Sequence, residues 1–227
     1  MPEVYSLDDV AFALRAQCCL TDRAFDRFLP DGLRAVSAQY WTPLRVAVRV
    51  AIWLEELEIR SVADIGAGVG KFCVVGALAS RCRFIGLEQR VRLVTAARSL
   101  ASAFQVAERV DFLEGALGQV AAPLADAYYF YNPFGEKLHF DGHLDDDVEL
   151  GEARYDRDVE AAGDLLRQAP AGTYAITYNG FGGRMPESYY LLRADRRLAC
   201  ELCLWRKAHG RVRATSSRLS GEHASAA

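Results

Sequence analysis

Val62-Ala63-Asp64-Ile65-Gly66-Ala67-Gly68-Val69-Gly70 is the stretch that decides the fold. A short strand-like run passes directly into a loop in which every second residue is glycine. Glycine allows a tight turn there and lets the backbone approach a ligand closely. The residues that follow, to about Ala79, read as a helix whose first N–H groups face the loop. Such a strand-to-helix turn serves more than one kind of nucleotide ligand, and two details narrow the choice. The dinucleotide pattern is G-x-G-x-x-G, whereas here the third glycine is Gly70 and position 71 is lysine. In addition, Asp64 precedes the first glycine by two positions. A carboxylate at that point suits an ammonium group and is poorly placed beside a pyrophosphate. Gly86-Leu87-Glu88 ends the next strand with a second carboxylate, which can accept hydrogen bonds from both hydroxyls of a ribose. An ammonium partner and a ribose partner together describe a nucleoside carrying an amino acid, and S-adenosylmethionine is such a molecule.

Outward from this loop, strands and helices alternate. Residues 61–65, 83–87, 110–113, 126–131 and 173–178 read as strands. Residues 89–104 and 152–168 read as helices, and 188–193 with 197–206 read as a closing strand pair. The pattern predicts an α/β fold with a doubly wound, mostly parallel seven-stranded sheet and an N-terminal helical extension. Residues 6–38 read as helical, with Ser6 and Asp9 as a capping box and a break at Leu29-Pro30-Asp31-Gly32. A buried helix over 43–58 follows, with Thr42 as its expected cap and Pro43 in its first turn. The expected organisation is a helical lid over 1–42, a binding domain over 43–206 and a flexible tail over 207–227. Ligands of such sheets lie at the carboxyl ends of the strands, so functional residues are expected just after strands.

Composition narrows the function classes. About half of the 227 residues are apolar, enough for a full core, and the net charge of −3 gives no global attraction to nucleic acid. The first residues lack the basic start of a secretory leader, and no run of eighteen apolar residues suggests a membrane span. The expectation is a cytoplasmic protein. Of six cysteines, Cys18 and Cys19 fall in an expected helix, and Cys200 and Cys203 in an expected strand. Residues three apart on a strand point to opposite faces, so a shared metal ion is not expected.

After the fourth strand comes Asn132-Pro133-Phe134. An asparagine carbonyl can accept a hydrogen bond from an amine and aim its lone pair, which is catalysis by positioning. A neighbouring ring can favour a sulfonium cation. Residues 136–160 hold ten acids against three bases; as a rim of the pocket they would attract amines or basic proteins, and as a solvated loop and helix start they would do neither. His139 and His143 lie in this acidic stretch and read as solvated rather than as ligands. The loop Asn179 to Pro186, rich in glycine, faces the same edge of the sheet. Arg206, Lys207, Arg211, Arg213 and Arg218 stand against only Glu222 in the tail.

At these residues the chain resembles the class I, Rossmann-like methyltransferases over roughly residues 39 to 206. The resemblance implies that Asp64, Gly66, Ala67, Gly68 and Gly70 hold the methionine part of S-adenosylmethionine and that Glu88 holds its ribose. It implies that Asn132, Pro133 and Phe134 border the methyl group and the acceptor. Gln39-Tyr40-Trp41-Thr42-Pro43 resembles a cofactor-covering motif of DNA amino-methyltransferases, which puts Tyr40, Trp41 and Thr42 at the cofactor. The glycine loop, Gly86 to Arg90 and Tyr178 to Gly183 together look like a small bacterial group of unassigned substrate. Two features depart from the family. Ala116 stands where an adenine-contacting acid is frequent, so no adenine reader is assigned. Pro133 stands alone where adenine-N6 methyltransferases have two prolines.

The expected activity is methyl transfer from S-adenosylmethionine, leaving S-adenosylhomocysteine. The expected acceptor is nitrogen rather than carbon, on a small molecule or protein rather than a nucleic acid. The alternatives are a non-catalytic cofactor-binding module that regulates a partner and a nucleic-acid N-methyltransferase. A nicotinamide-dependent oxidoreductase is disfavoured by the glycine spacing and by Asp64. Neither the acceptor nor the oligomeric state is legible in the sequence.

Overall fold

The computed structural model describes residues 5–18, 20–138, 144–145 and 148–209. In chain order the elements are α1 (Leu7–Arg15), α2 (Asp22–Asp26), α3 (Asp31–Ala35), α4 (Ser37–Tyr40), α5 (Leu44–Glu56), β1 (Ser61–Ile65), α6 (Lys71–Ala79), β2 (Arg83–Glu88), α7 (Val91–Ala103), β3 (Val110–Glu114), β4 (Ala127–Tyr131), a 3-10 turn (Gly135–Leu138), α8 (Glu152–Gln168), β5 (Tyr174–Tyr178), β6 (Tyr189–Asp195) and β7 (Leu202–Lys207).

The seven strands form one sheet in the order β3-β2-β1-β4-β5-β7-β6. The first five pair in parallel, and β7 is antiparallel to both β5 and β6. The order reverses between β1 and β4, which opens a crevice beyond their carboxyl ends. Register carries that crevice outward: Ile65 lies beside Leu87, and Tyr131 beside Tyr178. The residues just after those strand ends, Gly66, Asn132 and Asn179, are thereby brought to one edge.

Several local expectations change. The N-terminal run is four short helices rather than one long segment with a single break, and only α1 has the predicted Ser6–Asp9 capping box. Cys18 follows the end of α1 instead of lying within a helix, and Cys19 lies outside the described residues. Thr42 does not cap α5; its hydroxyl shares a 3.0 Å hydrogen bond with Tyr129 OH. The cap comes from Asp22, whose Oδ1 accepts the Leu44 N–H at 2.7 Å. Strand β7 begins after Cys200 and includes Lys207, so Arg206 and Lys207 are not tail residues. Lys207 Nζ donates to the carbonyls of Leu166, Arg167 and Ala169 and satisfies the open end of α8. Residues 210–227, with the remaining tail arginines, lie outside the described residues, as do His139, Asp141, His143, Asp146 and Asp147.

The N-terminal helices are not a loose appendage. Val10, Leu14, Phe25, Leu29 and Leu33 are buried in the same apolar cluster as Val62, Phe72 and Phe84 of the sheet layer. No helix is long and apolar enough to cross a membrane among the described residues.

Candidate cofactor and acceptor site

The crevice at the switch point is a cleft of about 250 Å³. Gly66 and Gly68 line it from the β1 side, Glu88 and Gln89 from β2, Gly115 to Leu117 from β3, and Tyr131 to Phe134 from β4. Tyr40 and Trp41 of the N-terminal segment line it as well, and so does Asn179 after β5.

The glycine loop leaves β1 with the N–H groups of Gly66 and Ala67 both donating to Leu87 O, at 2.9 and 3.0 Å. Each of its three glycines has a different neighbour. A Cβ on Gly66 would lie 2.8 Å from Pro133 Cβ, and one on Gly68 would lie 2.6 Å from the Trp41 ring. A Cβ on Gly70 would lie 2.4 Å from the Phe112 ring. Gly70 thus allows α6 to pack on the sheet and does not line the cleft. All three have positive φ, a region that glycine occupies at little cost.

Glu88 is buried beside the loop. Its Oε2 accepts the Gly68 N–H at 2.9 Å, and its Oε1 accepts the Arg90 N–H at 2.9 Å. Burial pushes its carboxyl above the ordinary range, opposed by those two N–H groups and by the Arg90 charge. Asp64 lies in a small adjoining recess, which shares Tyr40, Trp41, Gly66 and Tyr131 with the main cleft and which Thr42, Ala67 and Lys71 also line. It is buried, and its Oδ2 accepts a hydrogen bond from the Cys73 thiol, Sγ to Oδ2 3.4 Å. Burial raises its carboxyl to about 7. That is the position of a carboxylate lacking a cation.

On the opposite wall Asn132 has φ +37°, and its N–H donates to Gly180 O at 3.0 Å. The β4 and β5 loops are therefore tied together. A Cβ on Gly135 would lie 2.3 Å from Asn132 Nδ2, so the carboxamide occupies space that only glycine leaves open. Phe134 is buried, with Lys137 Nζ 5.3 Å from its ring centroid. Lys137 pairs with Asp158, which also accepts from Arg154.

The predicted residues thus fall into three groups. Gly66, Gly68, Glu88, Tyr40, Trp41, Asn132, Pro133 and Phe134 share the main cleft; Asp64, Ala67 and Thr42 line the recess; Gly70 is a packing residue. Several described acids of the acidic stretch are paired and do not stand as bare charges. Arg90 bridges Glu136 and Asp145, each at 2.7 Å, and Arg92 also pairs with Asp145. Glu149 pairs with Arg154 and Arg157. Sequence reading missed these partners because Arg90 and Arg92 lie on a different element. It also missed Lys71. The available signal was a single charge at the start of an otherwise apolar helix. Among the described residues, no group of three His, Cys, Asp or Glu side chains is placed to hold a metal ion.

No protein-family model and no curated relative matches the chain. Solved structures do. An RNA methyltransferase from Salinibacter ruber, in complex with S-adenosyl-L-homocysteine, matches with a TM-score of 0.52 at 20% identity, over 74% of this chain and 94% of its own. A putative O-methyltransferase from Klebsiella pneumoniae matches with a TM-score of 0.55 at 16% identity, over 88% and 96%. The chain has the class I methyltransferase fold. The 4+2 cyclase SpnF is also similar, with a TM-score of 0.51 at 13% identity over 74% and 82%. A class I methyltransferase fold therefore does not by itself name a reaction, and function has to be argued from the cleft.

Proposed function

We propose that this chain transfers a methyl group from S-adenosylmethionine to a nitrogen of a small molecule or protein side chain. The observation that carries the reading is the meeting, in one cleft, of Gly68, Glu88 and Asn132. The donor set fits the cofactor. Asp64 is a carboxylate that burial raises to about 7, and the amino group of the methionine part would give it a cation to pair with. Glu88 faces the cleft where a ribose would need two acceptors, and Leu87, Leu93, Ala116 and Leu117 offer an apolar seat for a base.

When bound, the cofactor supplies an electrophilic methyl group on a sulfonium. Asn132 Oδ1 accepts a hydrogen bond from the acceptor amine and points its lone pair at that carbon. The cofactor would supply its methyl carbon to that nitrogen, the sulfur keeping the electron pair of the broken bond, and the nitrogen's proton would pass to solvent. Phe134 and Pro133 close the wall and exclude water.

The preference for a small or protein acceptor is supported by the charge of the mouth. A phosphodiester backbone would meet Arg90 and Lys137, two cations already held in ion pairs by Glu136, Asp145 and Asp158. The test is to add methyl-labelled S-adenosylmethionine and the protein to cell extract and separate protein, RNA, DNA and small molecules. Label is expected in protein or small molecules. Label in RNA or DNA would overturn the acceptor class. S-adenosylhomocysteine binding with no labelled product in any fraction would favour the regulatory module.

A further inference from the structure

Lys71 follows the glycine loop directly, and its side chain is only 2% exposed. Its ammonium lies 2.6 Å from Asp22 Oδ1 and 2.7 Å from Asp26 Oδ1, one residue at each end of α2. The Asp26 contact is an ion pair, and Asp26 Oδ1 accepts no hydrogen bond. Ser37 Oγ, in α4, lies 3.4 Å from the same nitrogen, and the Phe25 ring centroid 5.9 Å. Asp22 Oδ1 also accepts the Leu44 N–H that begins α5. One buried cation therefore joins α2, α4 and, through Asp22, α5 to the first residue of α6.

The residues that cover the glycine loop lie at the end of α4 and just after it. Trp41 is buried, with its ring against Gly68 and its Nε1–H donated to Leu33 O at 2.9 Å. Tyr40 packs beside it, ring centroids 5.9 Å apart. Both line the cleft. Helices of four and five residues have too few internal hydrogen bonds to hold themselves in place, so their positions rest on side-chain anchors.

We propose that Lys71 is a positioning residue for the cofactor cleft: its ammonium latches α2 and α4 to the start of α6 and so holds Tyr40 and Trp41 over the glycine loop. This rests on the reading that the cleft binds S-adenosylmethionine. A cofactor under that cover leaves when the cover opens, so the latch sets residence time. Glu88 and the glycine loop, which line the cleft themselves, keep their groups when Lys71 is lost, and the number of sites per chain stays the same.

The test compares wild type with Lys71→Met, using S-adenosylhomocysteine as the probe. Dissociation is followed by stopped flow, stoichiometry by calorimetry and backbone hydrogen exchange by mass spectrometry. The expected result is one site per chain in both, with dissociation at least about tenfold faster in the variant, as loss of a buried ion-pair partner implies. Amides of residues 22–44 should exchange faster while those of β1, β2 and β4 do not change. An unchanged dissociation rate overturns the positioning role even where exchange speeds up. If Lys71→Met does not fold, Asp26→Asn removes one arm of the latch and is held to the same criteria. If the wild type binds no S-adenosylhomocysteine, the cofactor reading falls, and the exchange comparison alone decides whether Lys71 latches these helices; unchanged exchange at 22–44 overturns it.

Discussion

Two walls of the cleft are built on different principles. The wall formed by β1, the glycine loop and β2 is held mainly by the backbone, through a parallel ladder and two N–H groups on Leu87 O, with the Glu88 carboxylate adding one side-chain acceptor for the Gly68 N–H. The wall formed by α2 to α4 is held by side chains, above all Lys71 between two aspartates and the Trp41 indole on Leu33 O. A backbone ladder tolerates most changes of side chain. A wall of four- and five-residue helices depends on the few side chains that anchor it, so single substitutions should separate the two.

The largest effect is expected where the walls touch. Gly68→Val places a branched side chain at φ +55°, with its Cβ 2.6 Å from the Trp41 ring. Both the strain and the clash fall on the cofactor loop. Calorimetry should find no S-adenosylhomocysteine binding in a variant whose circular dichroism still shows the sheet. Retained affinity would show that the loop does not hold the cofactor.

Asn132→Ala should leave cofactor affinity within a few-fold and lower turnover by about two orders of magnitude, as expected when a positioning group is lost. Gly135→Ala offers a second route to the same result, because its methyl group would displace the Asn132 carboxamide. Steady-state rates with the acceptor found by extract labelling check both. A parent-like rate for Asn132→Ala would move the search to the Asn179 to Pro186 loop.

Glu88→Ala belongs wholly to the backbone-held wall. Losing charged hydrogen bonds costs about 1–3 kcal/mol, roughly a 5- to 150-fold loss of affinity. No loss in a titration would remove Glu88 from the ribose.

The smallest effect comes from pH. With its carboxyl near 7 in the free protein, Asp64 is protonated below that pH and must lose its proton to meet an ammonium group. Affinity should therefore weaken as pH falls below about 7, approaching about tenfold per unit, and level off above it. Asp64→Asn should flatten that profile. A profile unchanged by the substitution would take the methionine amino group out of the recess.

The same contrast explains what could be read from the sequence. The β1 loop, the place of Glu88 at the end of β2 and the mostly parallel sheet were legible because glycine spacing, short apolar strand runs and β-α alternation are local signals. The boundaries of α2 to α4 were not, since five residues span little more than one helical turn and carry no period. Thr42 has the right chemistry for a cap and stands next to α5, yet Asp22 does the capping from far along the chain. The ion pairs of the acidic stretch were not legible because Arg90 and Arg92 come from the start of α7. The Asp22 cap and the Arg90 pairs are side-chain contacts between distant segments, the kind of contact that builds the N-terminal wall.

The central claim is that the cleft is an S-adenosylmethionine site. Its most direct measurement is a pair of calorimetric titrations of the wild-type protein at pH 8, one with S-adenosylhomocysteine and one with NAD. One S-adenosylhomocysteine is expected to bind per chain, with no heat of binding from NAD. Saturable binding of NAD, or none of S-adenosylhomocysteine, would contradict it.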